Sequence, residues 1–411
     1  MESALLAKDS ALSMKWKWPL YLLAAFPIVD YFLHAGPWHL LGAVWAKLVL
    51  MYVAALAAGR HMEHGGYRKR STHWLMLYMI LLGIAYIAMD TQYVGVALAG
   101  YEIDFMYMLI AFLLPYVLSR DDLLPMLKLV VFTGFLMAMH GWYEYAIAAP
   151  IPAFWLNLGE HARTRVYSLF YSPNVMGSYM AFVAPLATGI AVYEKNRGQR
   201  LFYSLAAILA VGALVFTETR GAWLAFFVAV MVFFWLVDKR MILAVIALGI
   251  LSYFFVHSIH ARLQQFLSPV YWTKTVASGR IARWENAYNL MRANPLFGKG
   301  LGRYGGAVAA RYFHTIYVDN NYVKILAEMG LLGLISYLVL VAAYLRDVLR
   351  VWKRAVDRRT KVLLAGVFSS LVVFTVHAFV ENIFEVPAIA MLYWLVGILA
   401  IIYGEEDTAA N

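Results

Sequence analysis

A polar stretch from residue 257 to residue 320 interrupts an otherwise apolar chain, and it is rich in basic residues. They are Arg262, Lys274, Arg280, Arg283, Arg292, Lys299, Arg303 and Arg311. Arginine is well suited to phosphate, because its planar guanidinium forms two parallel charge-assisted hydrogen bonds and stays charged. Several arginines that converge at one membrane face therefore predict the binding of a lipid-linked phosphate or diphosphate.

The polar stretch leads into the sequence HTIYVDNNYVKILAEMGLLG, where candidate catalytic groups meet the next apolar run. Asp319 stays ionised among arginines and can accept the proton of an acceptor hydroxyl, so it is the favoured candidate base. His314, five residues earlier, is the second candidate. Asn320 and Tyr322 are candidate substrate-binding residues. Asp319 and Asn320 are also good helix N-cap types, so a purely structural role for Asp319 stays open.

Nucleotide-type phosphate binding and metal chemistry find little support in these residues. The sequence GKGLGRYGG at 298–306 lacks the preceding strand and the Lys-Ser/Thr ending of a nucleotide phosphate loop. Asp319 has no second carboxylate at ligand spacing in its own segment, so we expect neither a metal ion nor a cofactor. The chain has no cysteine, which excludes disulfides, thiolate zinc sites and cysteine nucleophiles. An active site outside the cell sees no ATP or nucleotide sugar. A sugar on a polyprenyl diphosphate brings its own leaving group and membrane anchor.

Membrane helices must position these groups, because the chain is 63% hydrophobic and only 14% charged. We predict an all-α polytopic membrane protein of about twelve transmembrane helices, with one long extracytoplasmic loop between spans nine and ten. The predicted spans are 18–34, 39–59, 73–90, 103–118, 123–142, 172–193, 201–217, 221–237, 241–256, 321–345, 361–378 and 386–403. The predicted regions are 1–256 with spans one to nine, the loop 257–320, and 321–411 with spans ten to twelve and a cytoplasmic tail.

The basic residues predict the orientation of the chain, with both termini in the cytoplasm. The short turns predicted to lie outside contain no Lys or Arg: 34–39, 91–102 and 379–385. The net charge of +10 reflects cytoplasmic anchoring, and nucleic-acid binding is not expected. We expect Arg220 to have a function, because it lies between two apolar runs, where a charge is costly unless it is paired or faces a water-filled cavity.

Four stretches of the chain, in this order, resemble the O-antigen ligase and O-antigen polymerase superfamily of bacterial membrane glycosyltransferases. They are RVYSLFYSPNVMGSYMAFVAPL from Arg165, TRGAWLAFF from Thr219, GRIARWENAYNLMRANPLFGKGLGRYGG from Gly279 and DNNYVKILAEMGLLG from Asp319. The order and spacing of the stretches carry the resemblance, more than any single motif. It covers most of the chain from residue 165 onward.

The resemblance implies a metal-independent enzyme of the bacterial cytoplasmic membrane, embedded in membrane lipids, with its active site on the outer side. Such an enzyme transfers a glycan from undecaprenyl diphosphate to a hydroxyl of a lipid, glycan or protein acceptor. Carried over by position, the resemblance implies that Arg220 and one of Arg280 and Arg283 bind the diphosphate. Arg165 is a further candidate.

The chain departs from the ligase branch at the last motif. That branch has His, then Asn, Ser or Gln, and after nine residues a Gly, two residues and a second Gly. Here Gly330 and Gly333 keep the spacing, but Asp319 stands in place of the His. Either Asp319 is the base, or His314 reaches the site, or the chain serves the polymerase or another branch.

Other functions remain as alternatives to a ligase-like transferase. A polymerase of lipid-linked repeat units differs from a ligase only in its acceptor. A flippase or transporter of a lipid-linked glycan places charges mid-span and uses broken helices, whereas Lys47, Asp90 and Lys128 are scattered here. A membrane scaffold would not need so many outside arginines. We therefore expect a large cavity between the long loop and the spans, lined by Arg220, Arg280 and Asp319.

Overall fold

The computed structural model describes residues 12–64, 71–151, 164–277 and 279–409, where all regular elements are helices and short 3₁₀ turns. The α-helices are α1 Met14–Tyr21, α2 Phe26–His34, α3 His39–His64, α4 Ser71–Met89, α5 Val94–Leu113, α6 Leu123–Ala146, α7 Pro173–Tyr193, α8 Arg197–Phe216, α9 Arg220–Val237, α10 Met241–Phe255, α11 His257–Leu267, α12 Pro269–Ala277, α13 Arg280–Ala293, α14 Ala307–Phe313, α15 Asn321–Arg354, α16 Arg358–His377 and α17 Pro387–Ala409. The predicted all-α polytopic class is confirmed.

Within the described ranges, ten helices are long and apolar enough to cross a membrane: α3 to α9 and α15 to α17. The first predicted span, 18–34, is instead the helix pair α1 and α2. Pro27 lies in the first turn of α2, where its missing N–H is harmless, but it could not continue α1. The ninth predicted span is α10, whose 15 residues rise about 22 Å at about 1.5 Å each. That length falls short of the hydrocarbon core of about 30 Å.

The turns predicted to lie outside meet at one end of the bundle. Asn174, at the start of α7, donates to Glu381 in the turn between α16 and α17, with 2.6 Å between Nδ2 and Oε2. Asp90, after α4, forms an ion pair with Arg303 of the long segment. Arg165 Nε donates to the carbonyl of Thr217 after α8 at 3.2 Å.

The turns predicted to lie inside meet at the opposite end. Lys17 Nζ lies 2.6 Å from Asp122 Oδ2, and both side chains are buried. Thr72 Oγ1 donates to Asp347 Oδ2 at 2.6 Å. The turns thus separate into the two groups that the orientation requires, and which group faces outward stays a prediction.

The centre of the bundle is formed by α7 and α17. In each of these helices, 89% of the most apolar 18-residue stretch is buried. Small residues bring α7 and α16 close together, as they commonly do between membrane helices. A Cβ on Gly366 would lie 2.6 Å from the carbonyl oxygen of Pro185 and 3.2 Å from Cα of Gly189. The helices that carry the outer turns therefore form one tightly packed unit.

Helix α15 is broken at Gly330, whose φ of 63° and ψ of −163° are not helical. Residues 295–300 lie against the break and restore the lost backbone hydrogen bonds. Four such bonds run from Leu331 N to Pro295 O (2.9 Å), Leu332 N to Leu296 O (3.2 Å), Lys299 N to Ala327 O (2.8 Å) and Gly300 N to Glu328 O (2.8 Å). The long segment is thereby fastened to a membrane span.

The segment predicted as the loop 257–320 contains the four short helices α11 to α14. Helix α13 packs on the first turns of α15 through a small apolar cluster of Ala287, Tyr304, Val318 and Ala327. This packing holds the first turn of α13 beside the residues that precede α15.

Candidate functional site

Arg280 and Arg283, in the first turn of α13, converge on Asp319. Arg283 Nη1 donates to Asp319 Oδ2 at 2.8 Å, and Arg280 Nε lies 3.6 Å from the same oxygen. Arg283 Nη1 also donates to the carbonyl of Tyr317 at 2.8 Å. Trp284 Nε1 donates to the carbonyl of Val318 at 3.0 Å. Helix α13 therefore holds residues 317–319 through the guanidinium groups of Arg280 and Arg283 and the indole of Trp284.

Asn320, rather than Asp319, caps α15. Its Oδ1 accepts hydrogen bonds from the backbone N–H groups of Tyr322 and Val323 at 3.0 and 3.1 Å. Asp319 itself has a left-handed backbone, with φ of 50°, which Asp tolerates better than most residues. Capping therefore leaves the Asp319 carboxylate available to the arginines.

Asn320 and Tyr322, both predicted to bind substrate, are buried. Asn320 is occupied in the cap, and its backbone N–H donates to Asn382 Oδ1 at 3.0 Å. The Tyr322 hydroxyl donates to the carbonyl of Thr375 at 2.7 Å. These internal contacts place both residues in the wall of the site. A direct role of either residue in substrate binding stays a prediction.

Arg165 is connected to the same region through Asn174. Its Nη2 donates to Asn174 Oδ1 at 3.3 Å, and Asn174 Nδ2 donates to Glu381 Oε2 at 2.6 Å. Arg165 is buried and also bonds to the carbonyl of Thr217. Asn174 thus links the turn before α9 to the turn between α16 and α17.

Arg220 begins α9 beside that same turn and is half-buried. The next residue, Gly221, is pressed against it: an added Cβ would lie 2.7 Å from Val380 Cγ2 and 2.9 Å from His377 Nε2. His377 Nδ1 shares a hydrogen bond of 2.5 Å with Ser178 Oγ of α7. The first turn of α9 is therefore packed directly on residues 377–380.

The Glu381 carboxylate is close enough to Asp319, Arg280 and Asn174 for these groups to change its pKa. Burial and the nearby Asp319 carboxylate raise its pKa to about 7, although the Arg280 guanidinium and the Asn174 hydrogen bond oppose this rise. The Glu381 residue is half-buried, so part of it is in contact with solvent. We call Arg165, Arg220, Arg280, Arg283, Asp319 and Glu381 the outer cluster.

The outer cluster unites five of the residues predicted from sequence, namely Arg165, Arg220, Arg280, Arg283 and Asp319. His314 lies apart from these contacts. It follows the last residue of α14 with a left-handed φ of 55°, and its side chain is exposed.

Sequence reasoning missed Glu381, Asn174 and His377. Asn174 lies within the stretch that begins at Arg165, so a polar residue at the start of a span was an available signal. Glu381 was visible only as one of several acidic residues in predicted outer turns. Nothing local distinguishes it, because its importance depends on which turns meet.

A second group of charges lies buried beside α15 and supports the site from within. Lys324 Nζ lies 2.8 and 2.9 Å from the two Asp104 oxygens, 3.0 Å from Glu385 Oε1 and 3.5 Å from Glu328 Oε2. The two glutamates also hold the glycine-rich segment. Glu328 accepts from the Tyr304 N–H at 3.0 Å, and Glu385 accepts from the Ala307 N–H at 3.1 Å.

Two cavities within the described ranges lie near, but not in, the outer cluster. One of about 250 Å³ is bordered by Asp90, Asn294, Lys299 and Arg303. The other, of about 40 Å³, is mostly apolar and lies between α4, α5, α15 and α17. Neither cavity is lined by Arg220, Arg280 or Asp319. The predicted large cavity is therefore not one of these two. In the same ranges, no group of three or more His, Asp or Glu side chains has a metal-binding arrangement.

The O-antigen ligase family model matches residues 205–338, about a third of the chain. Over this range the chain belongs to the O-antigen ligase superfamily. The match runs from α8 to the broken helix α15 and includes Arg220, Arg280, Arg283 and Asp319. Arg165 and Glu381 lie outside the matched range. No curated protein matches the chain. With this match and its span-length helices, the protein is a bacterial membrane protein of the O-antigen ligase or polymerase type.

Proposed function

We propose that this protein transfers a glycan from undecaprenyl diphosphate to an acceptor hydroxyl at the outer face of the bacterial cytoplasmic membrane, without a metal ion. The observation that carries the proposal is the outer cluster. At one end of the bundle, Arg280 and Arg283 contact Asp319, and Arg165 is bonded to Asn174, which donates to Glu381. Arg220 begins the helix that packs on residues 377–380 at the same end. Cations arranged in this way stabilise a departing diphosphate, and the carboxylates offer a proton acceptor.

The arginines divide the work between binding and positioning. Arg283 Nη1 is already engaged by the Tyr317 carbonyl and the Asp319 carboxylate at 2.8 Å each. Arg280 approaches Asp319 only to 3.6 Å and keeps most of its donors for a ligand. We therefore assign the diphosphate to Arg280 and Arg220. Arg283 and Arg165 hold residues 317–319 and Asn174 in place.

The acceptor hydroxyl must lose a proton as its oxygen attacks the anomeric carbon. The proposed acceptor is a lipid, a glycan or a protein, and a second lipid-linked glycan would make the enzyme a polymerase. Asp319 and His314 are the bases predicted from sequence. Asp319 belongs to the outer cluster, whereas the exposed His314 has no part in its contacts, which favours a carboxylate as the base.

A flippase would use broken helices and mid-span charges, and α15 has both features. The break at Gly330, however, is satisfied by backbone hydrogen bonds from residues 295–300 rather than left to line a passage. The scattered charges are also paired: Lys47 with Glu102 at 2.8 Å, Lys128 with Glu194 at 2.6 Å, and Asp90 with Arg303. These pairs favour the transferase.

The decisive experiment is glycan transfer by the purified protein in a buffer that contains a chelator. Undecaprenyl-diphosphate oligosaccharide is the only donor, and wild type is compared with Arg220→Ala. The control is Arg311→Ala, because Arg311 is exposed in the same polar segment. We expect product from wild type and the control but a loss of about 100-fold or more in Arg220→Ala. Longer lipid-linked chains without added acceptor would identify a polymerase. Lipid translocation in vesicles without any product would identify a flippase.

A further inference from the structure

The two carboxylates of the outer cluster have different surroundings. Asp319 is held between two guanidinium groups, at 2.8 Å from Arg283 and 3.6 Å from Arg280. Glu381 receives the amide hydrogen bond of Asn174, and no Arg or Lys of the described ranges lies within ion-pair distance of it. One carboxylate is thus bound by cations, and the other faces the cluster with a neutral partner.

This difference separates two chemical roles. A proton on Asp319 would weaken both of its ion pairs, so its use as a proton acceptor would disturb the positions of Arg280 and Arg283. Protonation of Glu381 breaks no ion pair. It also relieves the repulsion between Glu381 and Asp319. Two carboxylates in contrasting environments commonly mark a pair in which only one exchanges protons.

We propose that Glu381 is the general base that takes the proton of the acceptor hydroxyl, and that Asp319 is a positioning residue for Arg280 and Arg283. The inference rests on the proposed function and identifies a catalytic residue for it. Glu381 lies outside the range matched by the family model, and its own turn carries none of the sequence motifs.

The transfer step is balanced as follows. The acceptor O–H proton moves to a Glu381 carboxylate oxygen as the acceptor oxygen uses a lone pair to bond to the anomeric carbon. The bond between that carbon and the diphosphate oxygen breaks, and its electron pair leaves with the diphosphate. Arg280 and Arg220 stabilise the new charge on the leaving group. No oxidant, reductant or metal ion is consumed.

The surroundings of Glu381 also suit a base that works near neutral pH. Burial and the Asp319 carboxylate raise its pKa to about 7, while Arg280, the Asn174 amide and the backbone N–H of Asn382 limit that rise. Tyr317 also faces this group: burial, then the charge of Glu385 and then that of Glu381, raise the pKa of its phenol. A base with a pKa near the working pH combines a sufficient deprotonated fraction with useful proton affinity.

The test measures transfer from undecaprenyl-diphosphate oligosaccharide by the purified full chain between about pH 5.5 and about pH 8.5. Wild type is compared with Glu381→Gln, Glu381→Asp and Asp319→Asn. The control is Glu285→Gln, because Glu285 is exposed on α13. We expect Glu381→Gln to lower kcat by about 100-fold to about 10,000-fold, with little change in donor KM. Asp319→Asn should mainly raise the donor KM.

The pH profile separates a base from a structural residue. Wild-type kcat should rise through about pH 7 as Glu381 loses its proton. The Glu381→Asp variant should still show a kcat that rises with pH, at a lower rate than wild type. It provides the test if the Glu381→Gln variant fails to fold. If Glu381→Gln folds and transfers at the wild-type rate, or keeps the same rise of kcat with pH, the inference about Glu381 is overturned while the proposed function stands. No transfer by wild type overturns the proposed function and, with it, the inference.

Discussion

The backbones of Gly298 and Gly330 are in direct contact where the long segment meets the broken span. A Cβ on Gly298 would lie 2.6 Å from the Gly330 nitrogen, and a Cβ on Gly330 would lie 2.7 Å from the Gly298 nitrogen. Both residues have left-handed backbones, with φ of 67° and 63°. A side chain at either position would push the two segments apart and strain the backbone. Gly330, which belongs to the last sequence motif, therefore allows the two backbones to approach closely at this junction.

We expect Gly330→Ala to destabilise the protein by at least about 2 kcal/mol, because a left-handed Ala is strained and its Cβ has no space. The measurement is the thermal unfolding midpoint in detergent. Gly95→Ala is the control, since Gly95 is helical and its added Cβ would contact nothing within 4 Å. An unchanged midpoint in Gly330→Ala would contradict the described junction.

Arg280 and Arg283 should respond differently to substitution. Arg280→Ala should lower kcat/KM for the donor by about 100-fold or more, because it removes a proposed ligand of the diphosphate. Arg280→Lys should recover only part of this loss, since a lysine cannot form two parallel bonds.

Arg283→Ala removes the bonds to Tyr317 and Asp319, so we expect it to lower the unfolding midpoint as well as the rate. Initial rates and thermal unfolding of both variants provide the comparison. A loss of stability in Arg280→Ala with none in Arg283→Ala would reverse the two assignments.

Lys324→Met should strongly destabilise the protein. Among the described residues, Lys324 is the only cation within ion-pair distance of Asp104, Glu328 and Glu385, and its removal leaves these carboxylates uncompensated. Removing one partner of a buried ion pair typically costs about 3–5 kcal/mol. The change is read from thermal unfolding in detergent.

Adding Asp104→Asn and Glu328→Gln to Lys324→Met should recover part of the lost stability, because fewer buried charges then lack a partner. The two added changes alone serve as the reference. If Lys324→Met unfolds at the wild-type midpoint, this charge group does not stabilise the fold.

Asn174→Ala should move the acidic limb of the activity profile to higher pH. The Asn174 hydrogen bond favours ionised Glu381 and lowers its pKa, so its loss raises that pKa. Less Glu381 is then ionised at pH 7, and the rate at that pH falls. The measurement is kcat against pH, with Asn289→Ala as the control because Asn289 is exposed on α13. A limb that moves to lower pH would contradict the proposed bond.

The number and class of the helices followed largely from local hydropathy, but two predicted spans took another form. The apolar pattern of 18–34 hid the effect of Pro27, which separates α1 from α2. The pattern of 241–256 did not set the helix length, and α10 has 15 residues. Hydropathy records which residues avoid water and carries less information about where a helix stops.

The sequence by itself determined the membrane class and the motif residues Arg220, Arg280, Arg283 and Asp319, because composition and short motifs are local properties of the chain. It could not place Glu381 with them. That placement depends on α7, α9 and α16 bringing the ends of distant spans to one point. Only the tertiary structure decided that Asn320 caps α15, that Asp319 is held by two arginines, and that Glu381 faces the same cluster with a neutral partner. Packing between helices sets these distances, and no single segment of the sequence specifies that packing.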